Sequence, residues 1–393
     1  MHPVPAETQH QQHVPAHEAD SGEALYERDI FEYLRSMERA PGRLPAANYM
    51  DAAERDDDGL TPARRAALVG WLVSAAECLE IHSRTLHLAV SCLDRFLSSA
   101  AAADAVTIAA AALFAAAKYE EVWPPRAKHF VKVSRNGHPF DDGDNRGAAC
   151  FTKTDLIEAE VVVLEALHHD LSAPTAYTFL EHFLERLRAQ QNTKDDDEDL
   201  PLLASYIAEL GLLDYGMLRF RPSVVAASAL LVARLTTRPR EPPWGDGGAL
   251  EAATGYTTAE LEECAVALHR LHLHSGDDAS GPGYDEINDK YSEKEFNDVY
   301  TLLPLEDLVG TMEAVGLIAP RVDSAGDENS AGDVSNKEVA VLIGAIWCVL
   351  KGNEEGNNLP RKFVFGEVHR HRMENQEKEL LPMVHAGSVR VGQ

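Results

Sequence analysis

Apolar and polar positions alternate along this chain with helical period almost throughout. From Ala105 to Ala117 there is no charge, and most positions are alanine. Alanine is the best helix former, so the stretch predicts a helix despite its few large side chains. A helix that is apolar on every face is either buried or crosses a membrane. Crossing takes about 20 apolar residues, and this run falls short. The segment TIAAAALFAAAKYEEVWPP, Thr107 to Pro125, therefore reads as a slim central helix with others packed on all sides. Lys118 stands where burial stops, at the end where a cation complements the helix dipole. Pro124 and Pro125 forbid continuation.

Other helices are expected to sheathe it. Glu23 to Arg39 carries Leu25, Ile30, Tyr33, Leu34 and Met37 at helical spacing. Thr61 is a fair N-cap with Pro62 at the first helical position, and the face that follows is Leu68, Val69, Leu72, Val73 and Ala76. Ser83 is placed as the cap of the next helix, with the stripe Leu86, Val90, Leu93 and Leu97. After Pro125, a short segment with Phe130 and Val131 leads into the polar loop RNGHPFDDGDNRGAA. Thr152 then opens a helix through Leu156, Val163 and Leu167.

The second half repeats this plan. A helix from Leu203 to Leu213 and the segment Asp214 to Phe220 precede a second alanine-rich helix, RPSVVAASALLVARL. That helix ends in Arg234 as the first ends in Lys118. Thr257, Leu261, Glu263 and Leu268 then reproduce the spacing of Thr152, Leu156, Glu158 and Val163, with the extra residues of the first copy placed in HPFDDGDNRGA. The expected architecture is all-α: two tandem five-helix bundles with a preceding N-terminal helix and a C-terminal extension. The boundaries are a disordered tail at 1–22, the N-terminal helix and linker at 23–60, the first bundle at 61–172, the second at 173–303 and the extension at 304–393. Within the extension, DSAGDENSAGDVSNKE is an acidic linker. Val339 to Leu350, VAVLIGAIWCVL, is a buried helix packing back on the second bundle or a segment that docks a partner.

Composition narrows the chemistry. The chain of 393 residues carries a formal net charge of −28, which argues against unaided binding to DNA or RNA. Partners are expected to be proteins. No run reaches membrane length, and the polar start has no apolar leader core, so a chain that is intracellular, nuclear or cytoplasmic, and not secreted is expected. The five cysteines show no CxxC spacing and fit reduced, packed thiols. His168-His169, His272 with His274, and His369 with His371 lack the cysteine or carboxylate spacing of a zinc site. No phosphate-binding glycine loop or nucleophile elbow occurs, so neither an enzyme nor a cofactor or metal is expected.

Several motifs in fixed order resemble the cyclin family, specifically its A/B-like members, over about Tyr26 to Tyr300. They are YERDIFEYLRSMER, RRAALVGWL (64–72), LDRFLS (93–98), AAKYEEVWPP (116–125), AEVVVLEALHHDLSAPT (159–175), YIAELGLLDY (206–215), RPSVVAASAL (221–230), TGYTTAELEEC (254–264) and NDKYS (288–292). The resemblance implies a non-catalytic subunit that binds and activates a cyclin-dependent kinase catalytic subunit, with protein substrates or inhibitors as further partners. Lys118 and Glu160 match the family's kinase-contacting pair; taken alone they read as a surface salt bridge. Tyr26, Ile30, Leu164 and Leu171 match positions that pack against the kinase and otherwise read as ordinary core. Arg65 and Asp94 match a buried structural ion pair.

Departures from the family pattern are informative too. The family's substrate-docking groove falls on Arg64, Ala67, Leu68, Trp71 and Ser74, where only Leu68 and Trp71 keep its features. Gly70 replaces a common aspartate, at an expected cost of about 1 kcal/mol relative to alanine. His169 replaces a buried aromatic. No Arg-x-x-Leu destruction signal precedes the first helix and no Leu-x-Cys-x-Glu motif occurs. These departures leave a second reading open: a cyclin-fold adaptor that binds proteins without activating a kinase.

Overall fold

The computed structural model describes residues 22–50, 60–100, 104–135, 150–190, 198–239, 249–276 and 281–318. The expectations for the N-terminal tail, the HPFDDGDNRGA loop, the acidic linker and Val339–Leu350 lie outside them. The described residues contain helices and turns and no strand. No described helix is long and apolar enough to cross a membrane.

One helix, α1 (Gly22–Arg39), precedes the first bundle, which comprises α2 (Pro62–Cys78), α3 (Ser83–Leu97), α4 (Ala105–Glu120), α5 (Ala127–Val133) and α6 (Lys153–Ala166). The second bundle comprises α7 (Ala176–Gln190), α8 (Asp199–Leu213), α9 (Pro222–Thr237), α10 (Ala249–Thr254) and α11 (Thr258–His274); α12 (Tyr284–Tyr291) and α13 (Leu308–Ala314) follow. The two alanine-rich helices are the hubs. Helix α4 packs against α2, α3, α5 and α6, and α9 against α7, α8, α10 and α11. Every residue of α4 from Val106 to Ala117 is buried. Methyl-sized side chains let four neighbours approach it closely, and the larger Phe114 meets Phe130 of α5 edge-on at 5.1 Å between ring centres.

Local chemistry starts these helices. The Asp104 carboxylate accepts from Val106 N and Thr107 N at 3.1 and 3.2 Å, capping α4. Thr152 and Thr257 head α6 and α11 with reciprocal capping boxes through Asp155 and Glu260. Ser83 does not cap α3. The N-cap is His82, and the neighbouring chain supplies the missing acceptor: His82 N and Thr85 Oγ1 donate to Glu121 Oε1 at 2.9 and 2.7 Å. The Ser83 hydroxyl instead accepts from Lys290 Nζ at 2.8 Å.

Helix α1 belongs to the second bundle by its contacts. Its buried Glu38 accepts from Ser223 N and Oγ at 3.2 and 2.8 Å, and Phe31 stacks on His182 of α7. Two polar knots then join the bundles. In the first, Arg65 makes a bidentate pair with Asp94, both bonds 2.7 Å, and donates to the carbonyls of Leu212 and Leu213 at the end of α8. Tyr49 OH adds a bond to Asp94 at 2.8 Å. In the second, Lys290 of α12 donates to both Glu209 oxygens at 2.8 and 3.0 Å and lies 3.6 Å from Glu77. Burial works against the Glu209 charge, but Lys290 outweighs it and the carboxyl sits below its ordinary range.

Helix α12 reaches this position because Gly70 and Gly283 meet. Gly283 has φ +94, a conformation that suits glycine, and its backbone rests on Gly70. The glycine in α2 is therefore a docking point for α12, and its propensity cost comes with a contact that any side chain would block.

Candidate functional site

Lys118 lies in the last turn of α4 and Glu160 in α6, and their side chains form an ion pair. Glu160 is buried, whereas 44% of the Lys118 side chain is exposed. The ammonium also sits 4.5 Å from the centre of the Phe114 ring, a cation–π contact that holds it at the surface. Glu121, by capping α3, pins the chain just beyond Lys118 and turns it outward.

That outward turn exposes apolar groups. Tyr119 is 53% exposed, Val122 83% and Trp123 89%. On α6, Leu156, Val163 and Leu167 face the core, while Ile157 and Val161 remain 42% and 49% exposed. Ile157, Val161 and half-buried Leu164 form one stripe at helical spacing, beside Glu160 on the same side of the helix. Exposed apolar residues thus follow Lys118 in the chain and flank Glu160 on α6, the two charges being paired with each other. Sequence reasoning missed Ile157, Val161, Val122 and Trp123; the available signal was the excess of apolar residues in EVVVLEA and EEVWPP beyond what one buried stripe uses.

The remaining predicted positions are distributed differently. Ile30 is half-buried on α1, and the side chain of Tyr26 lies outside the described residues. Leu171 is 7% exposed and belongs to the chain's own core. His169 is exposed; it and His168 adopt left-handed backbone at φ +57 and +52 where α6 ends. The link that follows is tied down by Arg43, which pairs with Asp170 at 2.7 Å, and by Arg95, which donates to the Asp170 carbonyl at 2.9 Å. Along α2, Leu68 is fully buried and Trp71 is 7% exposed and edge-on to Phe151. Arg64 and Ser74 are exposed and Ala67 half-buried. The two apolar residues of the groove positions thus serve the core, and the surface there is short-chained or cationic.

Residues 29–172 match the family model described as cyclin, N-terminal domain, and residues 174–305 match cyclin, C-terminal domain. The chain belongs to the cyclin family. This cyclin is 37% identical over 285 residues to Cyclin-A3-2 of Oryza sativa subsp. japonica, covering 72% of this chain and 68% of that one. It is 35% identical to Cyclin-A3-3 of Arabidopsis thaliana, covering 72% and 83%, and 32% identical to G2/mitotic-specific cyclin C13-1 of Daucus carota, covering 72% and 77%. The two matched domains contain the two helical bundles of this cyclin.

Proposed function

We propose that the face around Lys118 and Glu160 is where this chain grips the movable helix of a cyclin-dependent kinase, holding it inward. Cyclins are regulatory subunits of cyclin-dependent kinases in the cell cycle, and this chain is one of them. Once that kinase helix is held, the kinase's own Lys–Glu ion pair forms and its activation segment opens. The chain itself supplies no reacting group. The observation that carries the assignment is a cation paired with a buried carboxylate, with exposed Ile157 and Val161 on the helix of Glu160 and exposed Val122 and Trp123 just after Lys118. Glu160 holds the Lys118 ammonium in place, leaving its other donors to cap kinase backbone carbonyls. Tyr26, Ile30, Leu164 and His169 extend the contact. Leu171, sunk in the core, shapes the loop beneath it.

The test is co-purification with a kinase, followed by phosphorylation of histone. The native chain retains a kinase and activates it. Lys118→Ala and Glu160→Ala lower retention at least tenfold while the helical circular dichroism is unchanged. Kinase retained without activation would favour the adaptor reading, for which the altered groove positions Arg64 and Ser74 speak. Undiminished retention by both variants would remove the site assignment.

A further inference from the structure

Away from that face, the junction of α1 and α7 brings together three groups far apart in sequence. One ligand atom each of Glu27, His182 and Glu185 lie within 4.8 Å of one another. His182 and Glu185 are three residues apart on α7 and so share a face, and Glu27 comes across from α1. His182 is 5% exposed. Its Nε2 has no hydrogen-bond partner, and its Nδ1 stands 3.6 Å from Glu27 Oε2, beyond hydrogen-bond length. Phe31, one turn after Glu27, stacks on the imidazole at 5.4 Å and 11° between planes, which fixes the ring.

A buried imidazole is usually explained by the hydrogen bonds it makes; this one makes none among the described residues. One oxygen of each of two carboxylates lies within 4.8 Å of it. Arg186 is near enough to feel the Glu27 charge, but its guanidinium lies 4.9 Å from the Phe31 ring centre and donates to the Ala252 carbonyl at 2.9 Å.

We propose that Glu27, His182 and Glu185 bind a divalent transition-metal ion of the zinc class that clamps α1 to α7. One imidazole nitrogen and two carboxylate oxygens are a donor set zinc accepts, and three protein ligands leave a fourth position for water. Tetrahedral ligands at bonds of about 2.0 Å stand about 3.3 Å apart, so binding requires the glutamate side chains to draw inward; both retain solvent exposure. The clamp fixes the helix that carries Tyr26 and Ile30, and its existence does not depend on any kinase.

The test is titration of the full chain with Zn²⁺, read by calorimetry and, with Co²⁺ as a probe, by visible absorption. Histidines 2, 10, 13 and 17 form a competing binder, so the comparison is with Glu27→Gln/Glu185→Gln, which leaves them intact. The native chain binds one more equivalent than the variant, or binds that equivalent at least tenfold more tightly, and zinc slows amide exchange in α1 only in the native chain. The single variant Glu185→Gln, at an exposed position, gives the same direction should the double variant fold poorly. Equal binding by native and variant chains, no binding by either, or Mg²⁺ taken up as readily as Zn²⁺ would each overturn the proposal.

Discussion

A β-carbon on Gly70 would stand 2.6 Å from the α-carbon of Gly283. That relationship makes the helix glycine a requirement of the join between α2 and α12. Gly70→Ala gains about 1 kcal/mol of helix propensity, but overpacking costs about 1–3 kcal/mol, and here the opposing atom is backbone. The expected outcome is a net loss of stability in urea denaturation, larger for Gly70→Asp. A variant as stable as the native chain would show that α12 does not rest there.

Asp94→Ala leaves the Arg65 guanidinium buried without its bidentate partner. The expected cost is about 3–5 kcal/mol, the range for breaking a buried pair. Tyr49→Phe removes one hydrogen bond to the same carboxylate and should cost about 1 kcal/mol. Equilibrium unfolding of both variants measures the contrast, and similar losses for the two would argue against the pair as the dominant member of the knot.

Stability should fall as the medium is acidified below neutrality. Burial drives the pKa of His87 and of His272 down to about 4 from the ordinary 6.5. The unfolded chain therefore binds more protons between pH 6.5 and 4, so the stability these rings contribute is complete above 6.5 and declines through that window. Glu77 acts in the opposite sense: burial raises it to about 7, so its contribution improves on acidification. Two histidines outweigh one carboxyl, giving a net decline of about 1–2 kcal/mol between pH 7 and pH 5. Unfolding free energy at pH 7 and pH 5 reads this directly, and His87→Leu should flatten the difference.

Val161→Asp places a charge on the exposed apolar stripe of α6. Being half-exposed, it should change stability by about 0.5 kcal/mol or less, yet reduce kinase retention at least tenfold. Retention unchanged by Val161→Asp and by Ile157→Asp together would move the binding face elsewhere.

What the amino-acid order discloses here follows the range of the interactions. The hubs α4 and α9 were legible because long charge-free alanine runs leave no exposed face, and Thr152 and Thr257 were legible because capping is local. Helix α7 escaped notice since its buried Phe179, Leu180, Phe183 and Leu187 are interleaved with charges, and α10, α12 and α13 are too short for a period to show. Ser83 was misassigned because the true acceptor, Glu121, lies in another helix's terminus. Periodicity alone does not pair helices, so the meeting of Lys118 with Glu160 rested on family resemblance, and that of Glu27 with His182 required coordinates.

The knot at Arg65 has a further consequence for biosynthesis. Its guanidinium completes its bonding on the carbonyls of Leu212 and Leu213, and Ser83 and Glu209 await the ammonium of Lys290. A ribosome therefore delivers the first bundle with Arg65 donors and a Ser83 acceptor whose partners are still untranslated, and excising that bundle as a fragment strands those two groups permanently. The two halves mature together, when α12 brings Lys290 to both.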